Sequence, residues 1–159
     1  LKNLKIVTWN CNGAFRRKFN FVDEFEADIY VIQECENPKE ANNPAYVHWA
    51  KNHLRIGNRK HKGLGIFGKE KITLSPLNWT NEYEGHPVNH FLSCRVNSEF
   101  EVIAVWTHYN KSPSFGYIGQ FWKYLQLHKA KFNNPLIIGD FNSNSIWDKP
   151  KKPGTIVQW

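Results

Sequence analysis

The sequence predicts an α/β fold in which strands form layers and helices cover them. Three observations carry that prediction. Short runs rich in β-branched and aromatic residues recur at Leu4–Trp9, Asp28–Gln33, Phe91–Val96, Phe100–Thr107 and Leu136–Ile138, the composition of strands on a pleated, buried surface. Two segments between them, Arg16–Phe25 and Tyr117–Phe132, space their apolar residues at helical intervals instead. Several of the strand-like runs end in a side chain able to bind a ligand or move a proton, and in layered α/β folds sites assemble at strand ends.

A length of 159 residues suits one domain, and 41% apolar with 22% charged residues marks a globular chain. No apolar run approaches the ~18 residues of a membrane span, and the N-terminus lacks a signal-peptide pattern. The chain contains no Met, so Leu1 is not expected to be the native start. Cys11, Cys35 and Cys94 are odd in number and follow no secretory signal, which predicts reduced, buried thiols in a cytoplasmic protein. Their spacing matches no zinc site. A net charge of +7 favours a polyanionic partner, nucleic acid or an anionic lipid surface. The 15% aromatic content, with seven Trp, is expected mainly in the core; base stacking is the functional alternative.

Leu4–Trp9 is the first strand and ends in Asn10-Cys11-Asn12-Gly13. Asn10 and Asn12 share one side of the chain, and Gly13 permits a sharp turn. The helix over Arg16–Phe25 offers Phe15, Phe19, Val22 and Phe25 to a core. Arg16, Arg17 and Lys18 near its start oppose the helix dipole, which hints at an anionic neighbour; a solvated basic face is the plainer account. The second strand, Asp28–Gln33, ends in Glu34. Glu36–Pro44 is read as a loop or short helical turn, and Tyr46–Trp49 as a strand.

Arg55–Lys62 concentrates basic residues before Gly63-Leu64-Gly65, and a strand is expected to begin at Ile66-Phe67. The Gly spacing fits no phosphate-binding fingerprint. The basic run is read as a solvated loop, with phosphate tracking the alternative. Lys71–Leu77, with Pro76 near its end, suits an edge strand. His86 and His90 lie four apart, but Pro87 between them opposes a helical metal pair. Phe91–Val96 and Phe100–Thr107 are joined by the hairpin-length Asn97-Ser98-Glu99, and the second run leads into His108-Tyr109. The Tyr117–Phe132 helix is expected to bury Ile118, Phe121, Trp122, Leu125, Leu127 and Phe132.

The stretch Pro135–Trp147 organises the rest. Leu136–Ile138 is read as a strand buried on both faces, broken by Gly139. Asp140 and Asn142 then leave on one side of the chain and Phe141 on the other. Asp140 can deprotonate or orient a water, and Asn142 can donate to an oxyanion. The alternative is that Asp and Asn simply open a turn.

Thr8-Trp9-Asn10, Ile32-Gln33-Glu34, Trp106-Thr107-His108 and Gly139-Asp140-Phe141-Asn142-Ser143 occur in this order, each at the end of an apolar run. With these motifs the chain, from Lys5 to about Asp148, resembles the endonuclease/exonuclease/phosphatase family. That group includes deoxyribonucleases, abasic-site endonucleases, neutral sphingomyelinases and inositol polyphosphate phosphatases. The resemblance implies a four-layer αββα sandwich of two mixed sheets with helices outside, and a single domain over residues 1–159 forming the family's N-terminal two-thirds. It implies a metal-dependent phosphodiesterase acting on nucleic acid, DNA ahead of RNA.

By the same resemblance Glu34 ligates magnesium, with manganese an alternative, and Asn12 stands where some relatives place a metal-binding Asp. Asn10 bonds the phosphate or a neighbouring catalytic group. Asp140 orients and deprotonates the attacking water, Asn142 stabilises the pentacovalent state, and His108 contacts phosphate or acts as acid. Tyr109 is a second candidate for phosphate contact. The family's closing Ser-Asp-His is not among these residues, so the chain alone is expected to have weak or no activity and its intact parent to be a hydrolase. Two other readings stand beside this one: a phosphatase or phospholipase of the same family, or a catalytically silent nucleic-acid-binding relative. The sequence leaves the oligomeric state open.

Overall fold

A computed structural model describes residues 3–109 and 116–144. The expected loop Lys111–Ser114, the end of the Pro135–Trp147 stretch and the basic tail lie outside the described residues. Strand β1 (Ile6–Asn10) leads through a 3-10 turn (Phe15–Arg17) and helix α1 (Phe19–Asp23) to β2 (Ile29–Gln33). A second 3-10 turn (Pro38–Glu40) and α2 (Pro44–Trp49) precede the hairpin of β3 (His53–Arg59) and β4 (Lys62–Gly68). Next come β5 (Leu74–Pro76) and a small ladder of β6 (Glu82–Tyr83) and β7 (His86–Pro87). Then follow β8 (Phe91–Val96), β9 (Phe100–Trp106), α3 (Ile118–His128) with a 3-10 turn (Lys129–Lys131), and β10 (Leu136–Asp140).

The strands form two four-stranded sheets, ordered β1-β2-β4-β3 and β10-β9-β8-β5. Side chains alternate across a strand, and that alternation builds the layers. In β2, Ile29 and Val31 enter the core between the sheets, while Tyr30 and Ile32 enter a second core beneath α1 and α2. In β9, Val102, Ala104 and Trp106 meet the first sheet, while Ile103 and Val105 meet α3. Three cores between four layers make the αββα sandwich. The outer core of the first sheet is aromatic: Phe15 lies edge-on to Tyr46 and Trp49, with ring centroids 5.7 and 5.6 Å away, the arrangement ring quadrupoles favour. Under α3, Phe91 and Tyr124 pack at 4.9 Å, and the Tyr124 and Ser93 hydroxyls share a 2.5 Å hydrogen bond. All three cysteines are buried and unbridged, and burial pushes the thiols of Cys35 and Cys94 up to about 12.

Several elements differ from the sequence reading. Tyr46–Trp49 is helical: Pro44 opens α2, and the Asn43 side chain accepts from Tyr46 N at 3.1 Å, an N-cap that outweighs the strand-like aromatic run. The Arg16–Phe25 helix breaks at Lys18, whose φ of −123° is not helical. Phe15, Phe19 and Val22 are buried as expected, but Phe25 is 55% exposed because the helix has already ended. The basic run Arg55–Lys62 is part of the β3–β4 hairpin rather than a loop, and β4 begins at Lys62, four residues before Ile66. Helix α3 buries Gln120, Phe121, Tyr124 and His128, leaving Ile118 and Trp122 more than 40% exposed. Strand β10 is half-buried, not buried on both faces, since among the described residues it pairs only with β9.

Two strand pairs are parallel, β1 with β2 and β9 with β10, and each is joined through helical structure, as parallel neighbours require. Parallel pairing brings the C-terminal ends of both strands to one edge. The registers Asn10↔Gln33 and Asp140↔Trp106 therefore set Asn10 beside Glu34, and Asp140 beside Thr107 and His108.

Candidate functional site

The two parallel units, one in each sheet, meet at their strand ends. Asn10 joins them: its Nδ2 donates to Asp140 Oδ2 at 2.7 Å and to Glu34 Oε1 at 3.3 Å. Its Oδ1 accepts from the backbone N–H of Asn12 at 3.0 Å, so the amide's orientation is fixed from both ends. Glu34 sits at φ +62°, in the left-handed region just past the end of β2. Its second oxygen, Oε2, pairs with the Lys62 ammonium.

Asp140 is held by neutral donors. Asn142 N reaches Oδ1 at 2.9 Å, and Asn142 Nδ2 reaches Oδ2 at 3.1 Å and the Thr107 carbonyl at 2.8 Å. Thr107 N donates to the Asp140 carbonyl at 2.9 Å, and the Thr107 hydroxyl donates to the Phe141 carbonyl. Gly139 makes this close packing possible. Its φ is +146°, and a Cβ there would lie 1.9 Å from the Val105 carbonyl oxygen.

His108 lines a cleft of about 190 Å³ together with Asn58, Arg59, Lys62, His90 and Trp106. Its Nδ1 bonds the Tyr109 carbonyl at 2.6 Å, and its own carbonyl accepts from Gln120 Nε2. His90 packs 4.6 Å from the Trp106 ring and 5.7 Å from the His108 ring. Burial, with His108 and Arg55 adding positive charge, pushes His90 down to about 4, so it is neutral near pH 7. Its Nδ1 is buried with no hydrogen-bond partner among the described residues, the kind of orphaned group that calls for a functional account.

Asn10, Glu34, Asp140 and Asn142 thus form one bonded group, and Lys62 connects it to the cleft that holds His108. Asn12 contributes its backbone N–H; its own side chain is exposed. Tyr109 is 62% exposed and stands beside Tyr117, ring to ring at 6.3 Å, rather than in the bonded group. Both Nδ2 hydrogens of Asn10 meet carboxylates, while those of Asn142 meet the Asp140 carboxylate and the Thr107 carbonyl. The sequence reading missed Lys62, His90 and Gln120. The basic run was the signal for Lys62, but only the β2–β4 register, Gln33↔Leu64, shows that it faces Glu34.

The donors suit a hard cation. Among the described residues no three His, Cys, Asp or Glu side chains cluster closely enough to cage a metal. Magnesium asks for less, being held by one or two carboxylates with water and substrate phosphate. Glu34 fits that description, and its Oε2 already attracts a cation, the Lys62 ammonium. No helix among the described residues is long and apolar enough to cross a membrane.

No family model matches the chain, and no curated protein matches it by sequence. Solved structures do match. The chain is similar to an AP endonuclease from Archaeoglobus fulgidus, with a TM-score of 0.63 and 17% identity over 88% of this chain and 58% of that one. It is similar to the 3′ phosphatase NExo from Neisseria bound to product DNA hairpin, at TM-score 0.60 and 18% identity over 88% and 58%. The human Nocturnin catalytic domain with bound sulfate anion matches at TM-score 0.53 and 14% identity over 83% and 58%. At such identities the likeness establishes the fold, and the chain spans about 58% of the length of these structures. The αββα sandwich expected from the strand-end motifs is thus the fold this chain shares with these structures.

Proposed function

From this fold and rim, we propose that the chain carries most of the catalytic residues of a divalent-metal-dependent phosphodiesterase that cleaves nucleic acid. One observation carries the reading: a single amide, Asn10, links the Glu34 and Asp140 carboxylates across two sheets. Chain segments 130 residues apart in sequence converge there, and structure alone gains little from drawing two carboxylates together.

Each residue takes a distinct part. Glu34 holds Mg²⁺, or Mn²⁺ in its place, which would supply charge neutralisation on the phosphoryl oxygens. Asp140 takes the proton of the attacking water. Asn10 and Asn142 keep the two carboxylates apart and oriented, which maintains the alignment that displacement at phosphorus requires. His108, through Nε2, contacts the phosphate or protonates the leaving oxygen. Lys62 and Arg59 place positive charge along the cleft, and the net charge of +7 favours approach of a polyanion. Asn12 supports the site through its backbone N–H to Asn10 rather than as a strong metal ligand, and Tyr109 at the outer edge is a peripheral phosphate contact. DNA is preferred to RNA as substrate in this reading; the similarity to NExo, described with a DNA hairpin, supports that order.

The test uses the whole protein with labelled DNA and RNA oligonucleotides, with inositol phosphate and sphingomyelin in parallel. The expected result is oligonucleotide shortening that needs Mg²⁺ or Mn²⁺ and stops on adding chelator. Turnover of inositol phosphate or sphingomyelin without cleavage of nucleic acid would move the assignment to a phosphatase or phospholipase. Salt-sensitive DNA retention with no product at any metal concentration would mark a silent binding protein.

A further inference from the structure

The Glu34 carboxylate is asymmetric in its partners. Oε1 accepts from a neutral amide, Asn10 Nδ2, while Oε2 accepts from the Lys62 ammonium. The other rim carboxylate, Asp140, has only neutral donors. Thus a cation already sits on the carboxylate read as the metal ligand. A divalent ion and an ammonium on one carboxylate repel each other, so a metal bound there favours release of the ammonium.

The Lys62 backbone is fixed while its side chain is free to move. Lys62 pairs with Arg59 in the hairpin, and Cys35 N donates to the adjacent Gly63 carbonyl at 2.9 Å. Gly63 also has no room for a side chain: a Cβ there would stand 2.5 Å from Arg55 Nη2. The Lys62 side chain is 47% exposed, with a flexible four-carbon stem. The stem passes Gly13 without crowding: even a Cβ there would stand at ordinary contact distance, 3.8 Å from Lys62 Cε. The same side chain lines the cleft with Arg59 and His108.

We propose that Lys62 is a tethered counter-ion coupling metal binding at Glu34 to phosphate binding in the adjoining cleft. The ammonium neutralises Glu34 in the metal-free protein and turns to the phosphate when a divalent cation takes the carboxylate. The inference rests on the reading of Glu34 as the metal ligand. Coupling of this kind is reciprocal: a phosphate that draws Lys62 away raises the affinity of Glu34 for metal, and metal raises the affinity of the cleft for phosphate. The device keeps a carboxylate from standing bare and favours loading of the metal together with substrate.

Mn²⁺ binding to the whole protein, read by electron paramagnetic resonance of the free ion, tests this without any cleavage step. Without nucleotide, Lys62→Met is expected to bind Mn²⁺ about tenfold more tightly than wild type. Thymidine monophosphate, as phosphate probe, is expected to tighten Mn²⁺ binding in wild type at least about threefold more than in Lys62→Met. Equal or weaker Mn²⁺ binding by Lys62→Met, or an equal nucleotide effect in both proteins, overturns the proposal. Glu34→Gln separates the two levels. If it leaves wild-type Mn²⁺ affinity unchanged, Glu34 is not the ligand, and both the reading and the inference fall. If it abolishes binding while Lys62→Met has no effect, only the inference falls.

Discussion

Asn10 commits both N–H groups to two carboxylates, and its oxygen accepts from the Asn12 backbone. A carboxylate at this position would add a third negative charge, and an aliphatic residue would leave Glu34 Oε1 without its donor and Asp140 Oδ2 with Asn142 alone. His90 makes a different kind of contribution. It holds φ +68° and is kept neutral by burial and by His108 and Arg55, pushed from 6.5 down to about 4. The unfolded chain therefore takes up this proton first as pH falls. The stability His90 contributes is intact above about 6.5 and is lost on descending toward about 4, by at most about 3 kcal/mol. Asn tolerates the left-handed backbone, so His90→Asn isolates the titration. In urea denaturation the wild type should lose about 2 kcal/mol more than the variant between pH 6.5 and 4.5; parallel profiles would show that His90 does not titrate this way. Asn10, Glu34, Asp140 and Asn142 were legible in the sequence because each is a polar residue at or just past the end of an apolar run. Lys62, His90 and Gln120 were not, because each reaches the site through register or a turn that no local pattern encodes.

Among the elements, β10 depends most on one backbone geometry. Gly139 lies against the Val105 carbonyl so closely that no side chain fits, and its φ of +146° is one that only glycine adopts readily. Gly139→Ala should separate β10 from β9 at this point, cost about 3 kcal/mol or more and displace Asp140. Chemical denaturation gives the first effect directly, and unchanged stability would mean that the β9–β10 pairing is looser than described. The strands themselves were readable, since β1, β2, β8 and β9 are dense apolar runs. The short helices were harder to read. Tyr46-Val47-His48-Trp49 has the composition of a strand, and the Asn43 cap with Pro44 makes it a helix instead. The basic start of the Phe15–Arg17 turn also has a local cause. Arg16 pairs with the buried Glu36 carboxylate, to which its backbone N–H also donates at 3.0 Å, so the anionic neighbour hinted at by the sequence is a side chain of the same chain.

Across the whole molecule, the sandwich brings together two similar units. β1–α1–β2 in one sheet delivers Asn10 and Glu34; β9–α3–β10 in the other delivers His108 and Asp140. The core between the sheets, with Ile29, Val31, Leu64, Ile66, Val102 and Ala104 fully buried, fixes how the two units face each other and hence the 2.7 Å Asn10–Asp140 contact. This architecture makes a kinetic statement: residues in one bonded group act as a unit, and their losses do not add. The most direct test is oligonucleotide cleavage by the whole protein with Glu34→Ala, Asp140→Ala and the double variant, in saturating Mg²⁺. Each single substitution should lower the rate by about a hundredfold or more, and the double should fall little further. A single variant that cleaves at the wild-type rate would contradict the account.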